Sequence, residues 1–249
     1  YYASRGLGDV YKRQNQKGLS LQTAHFSRRG DIPMTVSIML SKLGEGMVVT
    51  LMLFAVTLLF SLPLGLLVSF GRMAKNVVIR TIFKAYISIM RGTPLMLQLM
   101  VIYFGPYYIF GITNSPSWKN SAVAIGFVLN YAAYFAEIYR GGIESMPKGQ
   151  YEAAQILGYS KAQTFMRIIL PQVIKIILPS ITNETITLVK DTSLAFTIGI
   201  MEMFTISKAL AASQTTMLPY VFAGIFYYVF NLIVAFLLEL LEKKLNYYR

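Results

Sequence analysis

The sequence predicts an all-α integral membrane protein, a helical bundle with five transmembrane helices. Of its 249 residues, 55% are hydrophobic and only 14% are charged, whereas an ordinary soluble domain carries about 25% charged residues. The apolar residues also gather into blocks of about twenty, the length of helix that crosses about 30 Å of hydrocarbon. A soluble domain would need more polar side chains to cover its surface, so a membrane-spanning fold is favoured.

Five apolar blocks are separated by loops that carry most of the charge. The predicted spans run over about 46–70, 85–110, 121–139, 181–201 and 218–241. Each block is long enough for one helix to cross a bilayer. The fourth block is the least apolar of the five.

Basic residues collect in alternate loops, which predicts the orientation of the bundle. The first and third loops and the C-terminal tail carry Arg72, Lys75, Arg80, Lys84, Arg140, Lys148, Lys161, Arg167, Lys175, Lys243, Lys244 and Arg249. The basic residues of the two opposite loops are Lys119 and Lys208, and Trp118 lies at the same edge as Lys119. The positive-inside rule therefore predicts a cytoplasmic third loop and C-terminus. Much of the net charge of +12 is then topological, and it gives little support to nucleic-acid binding.

The first 33 residues are set apart from the predicted fold. The sequence has no methionine at position 1 and lacks the charged start and short apolar core of a signal peptide. We predict that residues 1–33 are a non-native or disordered extension and that the natural chain starts near Met34. Residues 34–249 are predicted to form a single transmembrane domain.

Composition and motifs exclude several chemistries. The sequence has no cysteine, which excludes disulfides, thiolate metal ligands and a cysteine nucleophile. His25 is the only histidine and cannot form a metal site alone. No G-x-x-x-x-G-K-[ST] phosphate loop occurs, so the chain is not expected to bind ATP. Any energy that the chain's function needs would then come from another chain or from an ion gradient.

The third loop, about 141–171, is predicted to contain two short helices that meet at a glycine. Pro147 suits a helix start, because its missing N–H is one of the donors left unpaired there. Gly158 supplies a C-terminal stop for the first helix. Ser160 and Gln163 have the spacing of a capping box, which starts the second helix before Pro171 interrupts it.

The first of these helices carries a carboxylate beside two small residues. Glu152 is followed by Ala153 and Ala154, and small side chains allow a helix face to lie close against another protein. An ordinary surface helix explains the same spacing. The residues alone therefore leave both interpretations open.

The loop combines Glu152-Ala153-Ala154 with Gly158 and Ile169-Leu170-Pro171. This combination resembles the EAA loop of the permease subunits of ATP-binding-cassette (ABC) importers. Other phrases resemble the polar amino-acid permeases of the histidine, glutamine and arginine type: Arg91-Gly92-Thr93-Pro94 with Gln98, Asn130, Ala136 through Ile143, Pro147 through Gln150, and Leu188 through Leu194. The resemblance covers about 42–249.

The resemblance implies the type I transmembrane domain of an ABC importer in a bacterial cytoplasmic membrane. The loop would be a coupling helix seated in a separate ATPase, formed by Gln150, Tyr151, Glu152 as polar anchor, Ala153 and Ala154 as close-approach face, and Gly158 as bend. The implied partners are a cytoplasmic ATPase dimer that holds ATP and Mg²⁺, an extracytoplasmic amino-acid-binding protein, and an identical or paralogous second permease. The chain itself would be non-catalytic and bind no cofactor.

Polar residues inside the spans are candidates for the substrate pathway, because a charge in hydrocarbon costs about 2.5–3.5 kcal/mol. Asp191 lies near the middle of the fourth span and is followed by Thr192 and Ser193. A carboxylate and two hydroxyls at that depth could hold the α-ammonium group of an amino acid. We therefore predict that these three residues contact the substrate.

The third span offers a second polar face. Asn130, Tyr134 and Glu137 fall at i, i+4 and i+7, which is one side of a helix. Arg91 begins the second span near the cytoplasmic interface. These residues are also predicted to line the pathway, with Asn130 adding hydrogen bonds to the substrate. Pairing of the polar groups with one another, which would only hold the bundle together, is the alternative.

Two other functions compete with ATP-driven import. A secondary transporter could use Asp191 and Glu184 for proton or sodium coupling, but we find no internal inverted repeat, the usual sign of that class. A membrane scaffold without transport activity is the third class, and it gives no role to charges at mid-membrane. The sequence leaves open the amino acid carried and the choice between homodimer and heterodimer.

Overall fold

The computed structural model describes residues 36–113 and 115–245. The predicted extension 1–33, the start near Met34 and the last four residues of the predicted domain lie outside these residues. The helices are α1 Val36–Arg72, α2 Val77–Gly92, α3 Leu95–Phe110, α4 Pro116–Glu144, α5 Lys148–Ile156, α6 Lys161–Gln163, α7 Leu170–Asp191, α8 Met203–Gln214 and α9 Leu218–Leu245. A π-helical segment, Thr164–Ile169, joins α6 to α7, and a 3₁₀ helix, Thr192–Ile198, follows α7.

The described residues contain four helical stretches that are long and apolar enough to cross a membrane, and a bent pair of helices makes a fifth if it is one span. The predicted first, third and fifth spans lie within α1, α4 and α9. The fourth differs from the prediction, because the helical stretch runs over Lys161–Ile198 and begins well before residue 181. Lys175 and Pro179 dilute the apolar signal of this earlier part without ending the helix.

The predicted second span, 85–110, falls on a pair of helices with a sharp bend between them. It consists of α2 and α3, which are bent by 111° at Thr93 and Pro94. Thr93 is extended, with φ −124° and ψ 148°, because a residue before proline is pushed out of the helical region. Pro94 has no N–H, so the carbonyl group of Met90 loses its partner four residues on. The position of Pro94 in the sequence places the break, whereas the angle between α2 and α3 depends on the helices that pack around them.

Helix α1 packs closely on α4 through small residues. A Cβ atom added at Gly65 would lie 2.9 Å from Phe135 Cβ and 3.0 Å from the carbonyl oxygen of Ala132. Ala133 and Ala136, which are close to these residues in the sequence of α4, are fully buried. Small side chains allow helix backbones to approach, which is the usual basis of packing between membrane helices. This pair therefore has the most extensive helix–helix packing of the described residues.

A short helix that the sequence did not predict, α8, ties the last two spans to α1. Its N-cap residue Glu202 is buried and accepts hydrogen bonds from the backbone N–H groups of Phe204 and Thr205. The hydroxyl of Tyr227 in α9 donates to Glu202 at 3.0 Å. The N–H of Met203 donates to the hydroxyl oxygen of Thr50 in α1 at 3.3 Å.

Two ends of the bundle can be told apart by their contacts. At the first, which we call the basic end, Phe70 of α1 packs against Phe165 of the π segment with ring centroids 6.2 Å apart. At the opposite end, Trp118 Nε1 donates to the carbonyl oxygen of Tyr103 at 3.1 Å. Lys119 Nζ there donates to the carbonyl oxygen of Gly199 at 3.0 Å. The first and third loops, which are rich in basic residues, thus lie at one end.

Candidate functional site

Helix α5 at the basic end has the boundaries that its sequence predicts. Pro147 is the N-cap residue, and Gly158 ends the helix with φ +80°, where glycine carries no steric penalty. The N–H of Gly158 donates to the carbonyl of Gln155, and the N–H of Tyr159 donates to that of Ala154. This pair of bonds is a Schellman motif. The predicted capping box of Ser160 and Gln163 follows directly.

Most predicted coupling residues are exposed, but one is not. Gln150, Tyr151, Glu152 and Ala153 lie on the exposed surface of α5. Ala154 is only 1% exposed, because α5 packs against the π segment of its own chain. The prediction that Ala154 offers a close-approach face to a partner is therefore wrong for this conformation. Its small side chain instead lets α5 lie close to its own bundle.

Two large apolar side chains at the end of α5 were missed by the sequence analysis. Ile156 is 86% exposed and Leu157 is 73% exposed. Ile156 lies two residues after Ala154 and so points away from the buried side of the helix, whereas Leu157 is the C-cap residue, just beyond the last residue of α5. A helical projection with Ala154 placed inward would have found Ile156. Together with Glu152 they form the coupling surface, the name we use for these three residues.

The loop that carries the coupling surface is firmly attached to the bundle. Ile169 of the π segment is fully buried and clusters with Met146, Val173 and Ile177. Thr164 donates its hydroxyl to the carbonyl oxygen of Ser160 at 3.0 Å. These buried side chains join the π segment, against which α5 packs, to α7.

Glu137, a predicted pathway residue, is held at the basic end by an ion pair within its own helix. Its carboxylate accepts two hydrogen bonds from Arg140, which also pairs with Glu144. Both carboxylate oxygens of Glu137 are thus bound by Arg140, three residues further along the helix. The structure thus assigns Glu137 to an internal ion pair, and the prediction of a substrate contact is not supported by its position.

Asn130 stabilises the break between α2 and α3 with hydrogen bonds to both helices. Its Nδ2 donates to the carbonyl oxygen of Met90 at 3.1 Å and to Gln98 Oε1 at 2.9 Å. Gln98 Nε2 in turn donates to the carbonyl oxygens of Met90 and Thr93. The carbonyl left unpaired by Pro94 therefore has two substitute donors. Asn130 is 4% exposed and both amide hydrogens are used, which corrects its predicted role in substrate binding.

Asp191 has a partner that the sequence analysis did not identify. The hydroxyl of Tyr131 donates to Asp191 Oδ2 at 2.7 Å across α4 and α7. The ring centroids of Tyr131 and Tyr134 lie 6.2 Å apart. The guanidinium group of Arg91 makes a cation–π contact with Tyr134, 5.3 Å from the centre of its ring. The structure thus gathers three predicted pathway residues, Asp191, Tyr134 and Arg91, around Tyr131. Glu184 lies within electrostatic range of both Asp191 and Arg91.

The two hydroxyls after Asp191 are used by their own helix. Thr192 Oγ1 donates to the carbonyl oxygen of Val189 and Ser193 Oγ to that of Lys190, both at 2.7 Å. Thr192 is 0% exposed, so its predicted contact with a substrate is wrong for this conformation. Ser193 is half-buried and keeps lone pairs that can accept a hydrogen bond.

Comparison with known families decides which kind of membrane protein carries this arrangement. Residues 61–247 match the family model described as binding-protein-dependent transport system inner membrane component. The chain belongs to this family. It is therefore a permease component of an ABC importer, as its EAA-like loop predicts, and the ion-coupled secondary transporter is not supported.

Relatives of the permease agree with the family over most of its length. A putative glutamine transport system permease protein of Rickettsia bellii is 38% identical, over 81% of this chain and 91% of that protein. An arginine transport system permease protein of Bacillus subtilis is 37% identical, over 81% and 91%. The crystal structure of an amino acid ABC transporter with histidines superposes with TM-score 0.75 at 32% identity, covering 82% of this chain and 94% of that one. The predicted type I fold is confirmed.

The permease also has a cavity of about 720 Å³ at the end opposite the coupling surface. It is lined by residues of α1, α3, α4 and the segment after the 3₁₀ helix, among them Met52, Lys119 and Gly199. On α4, Val123 lines the cavity, Phe127 lies one turn further in and Tyr131 two turns further in. All three belong to one buried apolar cluster that also contains Leu53 and Ile198. We call Leu53, Phe127 and Ile198 the apolar layer.

Proposed function

We propose that this permease carries polar amino acids inward across a bacterial cytoplasmic membrane, driven by ATP hydrolysis on a separate subunit. Relatives that are 33 to 38% identical are named for the transport of glutamine, arginine and L-cystine. These molecules share an α-ammonium and an α-carboxylate group and differ in their side chains. The names therefore support the class of substrate and leave the particular amino acid open.

The coupling surface is the observation that carries this proposal. Ile156 and Leu157 are exposed on a helix that is firmly attached at its base. Exposed apolar side chains next to a polar rim are typical of protein interaction sites. We infer that α5 sits in a cleft of the ATPase subunit, with Glu152 as polar anchor and with Gln150, Tyr151 and Ala153 at the rim.

Movement of the ATPase subunits would reach the spans through the packed base of the loop. When two ATPase subunits close on ATP, α5 would be displaced with them. The buried contacts of Ile169 and Val173 would transmit that displacement to α7. Because α7 ends at Asp191, the same movement would change access to the substrate site.

ATP and Mg²⁺ are assigned to the partner ATPase. The chain has no phosphate-binding loop of the Walker type. Its own part in the proposed cycle is to bind the substrate and change shape, without covalent chemistry.

The substrate site that we propose is the group of side chains around Tyr131. Asp191 would accept hydrogen bonds from the α-ammonium group, and the Ser193 hydroxyl oxygen could add one more. Arg91 is exposed and lies over Tyr134, so it offers a cation for the α-carboxylate group. Charges of both signs in one group suit a zwitterion, which carries both.

Partners and orientation complete the proposal. The basic end would face the cytoplasm and the ATPase dimer, as the positive-inside rule suggests. An amino-acid-binding protein would deliver substrate at the opposite end, where the cavity opens. A second permease, identical or paralogous, would complete the membrane part of the importer.

Uptake into vesicles tests the energy source and the substrate class together. The permease would be reconstituted with its ATPase and binding protein, and uptake of radiolabelled glutamine, arginine and cystine would be measured. We expect uptake of at least one of them with ATP at the ATPase side and no ion gradient, unchanged by ionophores. Uptake that needs a sodium or proton gradient and ignores ATP would contradict the proposal.

A further inference from the structure

Tyr131 is the one residue of the described ranges 36–113 and 115–245 whose side chain donates a hydrogen bond to Asp191. The two residues are sixty positions apart in the sequence, and their bond is 2.7 Å long. Tyr131 itself is 1% exposed. A substrate in the accessible space could therefore reach Asp191 but not the phenol that holds it.

Packing fixes where the Tyr131 hydroxyl lies. Its ring stacks with that of Phe127 at 6.5 Å with 8° between the planes, and it contacts the rings of Tyr134 and Phe135, each at 6.2 Å. Phe127 and Phe135 are fully buried. A closely packed side chain has few alternative rotamers, so the hydroxyl is a fixed donor.

Asp191 needs such a donor because of its place in the helix. It is the last residue of α7 and the N-cap residue of the 3₁₀ helix, and its side chain accepts no capping hydrogen bond from the backbone there. The hydroxyls of Thr192 and Ser193 do not relieve this, since they donate to backbone carbonyl groups. Tyr131 therefore supplies the donor and sets the direction of the carboxylate.

We infer that Tyr131 is a positioning residue for substrate recognition. It binds Asp191 Oδ2 and leaves Oδ1 as the oxygen that accepts from the α-ammonium group of the amino acid. The inference rests on the proposed function, in which Asp191 contacts that group. Tyr131 would thus determine recognition of the ammonium group without touching the substrate.

The test compares each amino acid with its analogue that lacks the α-amino group. Binding of L-glutamine and glutaramic acid, and of L-arginine and 5-guanidinopentanoic acid, would be measured on the permease–ATPase complex in nanodiscs without binding protein. The discrimination ratio is the affinity for the amino acid divided by that for its analogue. For Tyr131→Phe we expect this ratio to fall about tenfold, the low end of the loss of a hydrogen bond to a charged group.

Tyr86→Phe is the matched control. It also removes a hydroxyl that donates within the bundle, at 2.6 Å to the carbonyl oxygen of Leu129. A general loss of stability would weaken binding of both ligands equally in either variant and leave the ratio unchanged. A ratio for Tyr131→Phe equal to that for Tyr86→Phe would overturn the inference.

Asp191→Asn separates this inference from the proposed function. If Asp191→Asn keeps the full ratio, the proposed ammonium site is wrong, whatever Tyr131 does. If Asp191→Asn lowers the ratio, we expect no further fall when Tyr131→Phe is added, and an additional fall would show that Tyr131 acts elsewhere.

A second variant covers the case in which Tyr131→Phe does not assemble. Fluorotyrosine at position 131 keeps the ring and the hydroxyl and makes the hydroxyl a stronger donor. We expect it to change the discrimination ratio, and an unchanged ratio would count against the inference.

Discussion

Asn130 and Asp191 show two uses of a polar side chain inside a membrane bundle. The side-chain amide of Asn130 donates both of its hydrogens within its own chain, to the Met90 carbonyl oxygen and to Gln98 Oε1. Asp191 keeps one carboxylate oxygen without a hydrogen bond from the described residues, since Tyr131 binds only Oδ2. The first arrangement repairs backbone hydrogen bonding, and the second leaves a group available to a ligand.

Replacing Asn130 with alanine should lower stability and leave substrate affinity unchanged. The change removes one of two donors to the Met90 carbonyl group and leaves Gln98 Oε1 unpaired. A buried polar group without a partner costs about 1–3 kcal/mol. Thermal unfolding of the purified complex, together with amino-acid binding, checks the expectation.

Asn183→Ala is the control for that experiment, because Asn183 is an exposed asparagine of α7. We expect its effect on stability to be within about 0.5 kcal/mol. If Asn130→Ala instead weakened substrate binding at unchanged stability, Asn130 would be a substrate contact after all.

At the scale of single elements, α5 is a short helix whose two ends are fixed and whose outer side is left uncovered. Pro147 and the Schellman motif at Gly158 set its length. Ala154 sets which side faces the bundle. The exposure of Ile156 then follows from helix geometry, and Leu157 is exposed beside it at the C-cap. The two side chains define a test of docking.

Changing Ile156 and Leu157 together to serine should weaken ATPase binding at least tenfold. Each apolar side chain contributes about 1.5–3 kcal/mol when it is fully buried, so even partial burial gives a loss of that size. Binding of purified ATPase to the permease in detergent provides the measurement. Ile112→Ser, which changes an exposed isoleucine at the opposite end, should leave binding unchanged; equal binding by both variants would exclude the coupling surface.

The bend at Gly158 gives a second test within the same helix. Gly158→Ala puts a side chain at φ +80° and should destabilise the end of α5 by about 1–2 kcal/mol. Gly149→Ala lies inside the helix, also with open space around its Cβ, and should stabilise it by up to about 1 kcal/mol. Hydrogen–deuterium exchange of α5 should become about tenfold faster in the first variant and slower in the second. The same direction of change in both would contradict the role of the backbone angle.

At the scale of the whole molecule, the two ends of the bundle should face different compartments. The chain has no cysteine, so single cysteines can report orientation without background. We expect a membrane-impermeant maleimide to label Ser117→Cys, at the opposite end, in intact cells. Lys75→Cys, in the turn between α1 and α2, should be labelled only after permeabilisation, and the reverse pattern would invert the proposed orientation.

Local signals predicted the parts of this fold that depend on neighbours in the sequence. The coupling loop follows from Pro147, Gly158 and Ser160, each of which acts on the backbone within a few residues. Long apolar runs predicted α1 and α9. Pro94 marks the break between α2 and α3, but the bend of 111° was beyond such signals, because one of the donors that stabilise it, Asn130, comes from α4.

The substrate group was predicted only in part, for a related reason. Asp191 was found from its charge at mid-span, but its partner Tyr131 is a tyrosine in an aromatic stretch and carries no signal of its own. The face of α4 was assigned from Asn130, one residue earlier. One residue on a helix rotates the side chain by about 100°, so Asn130 lies toward the bend whereas Tyr131 lies toward Asp191.

The apolar layer of Leu53, Phe127 and Ile198 has a consequence for the electrical properties of the membrane. A bacterial membrane sustains a voltage, and moving one elementary charge through 100 mV is worth about 2.3 kcal/mol. A continuous thread of water from the cavity to Asp191 would let ions run down that voltage. Phe127 lies on α4 between Val123, which lines the cavity, and Tyr131, which binds Asp191, and it is buried in one apolar cluster with Leu53 and Ile198. We therefore expect the resting permease to insulate. Insulation then comes from residues that take no part in recognising the substrate.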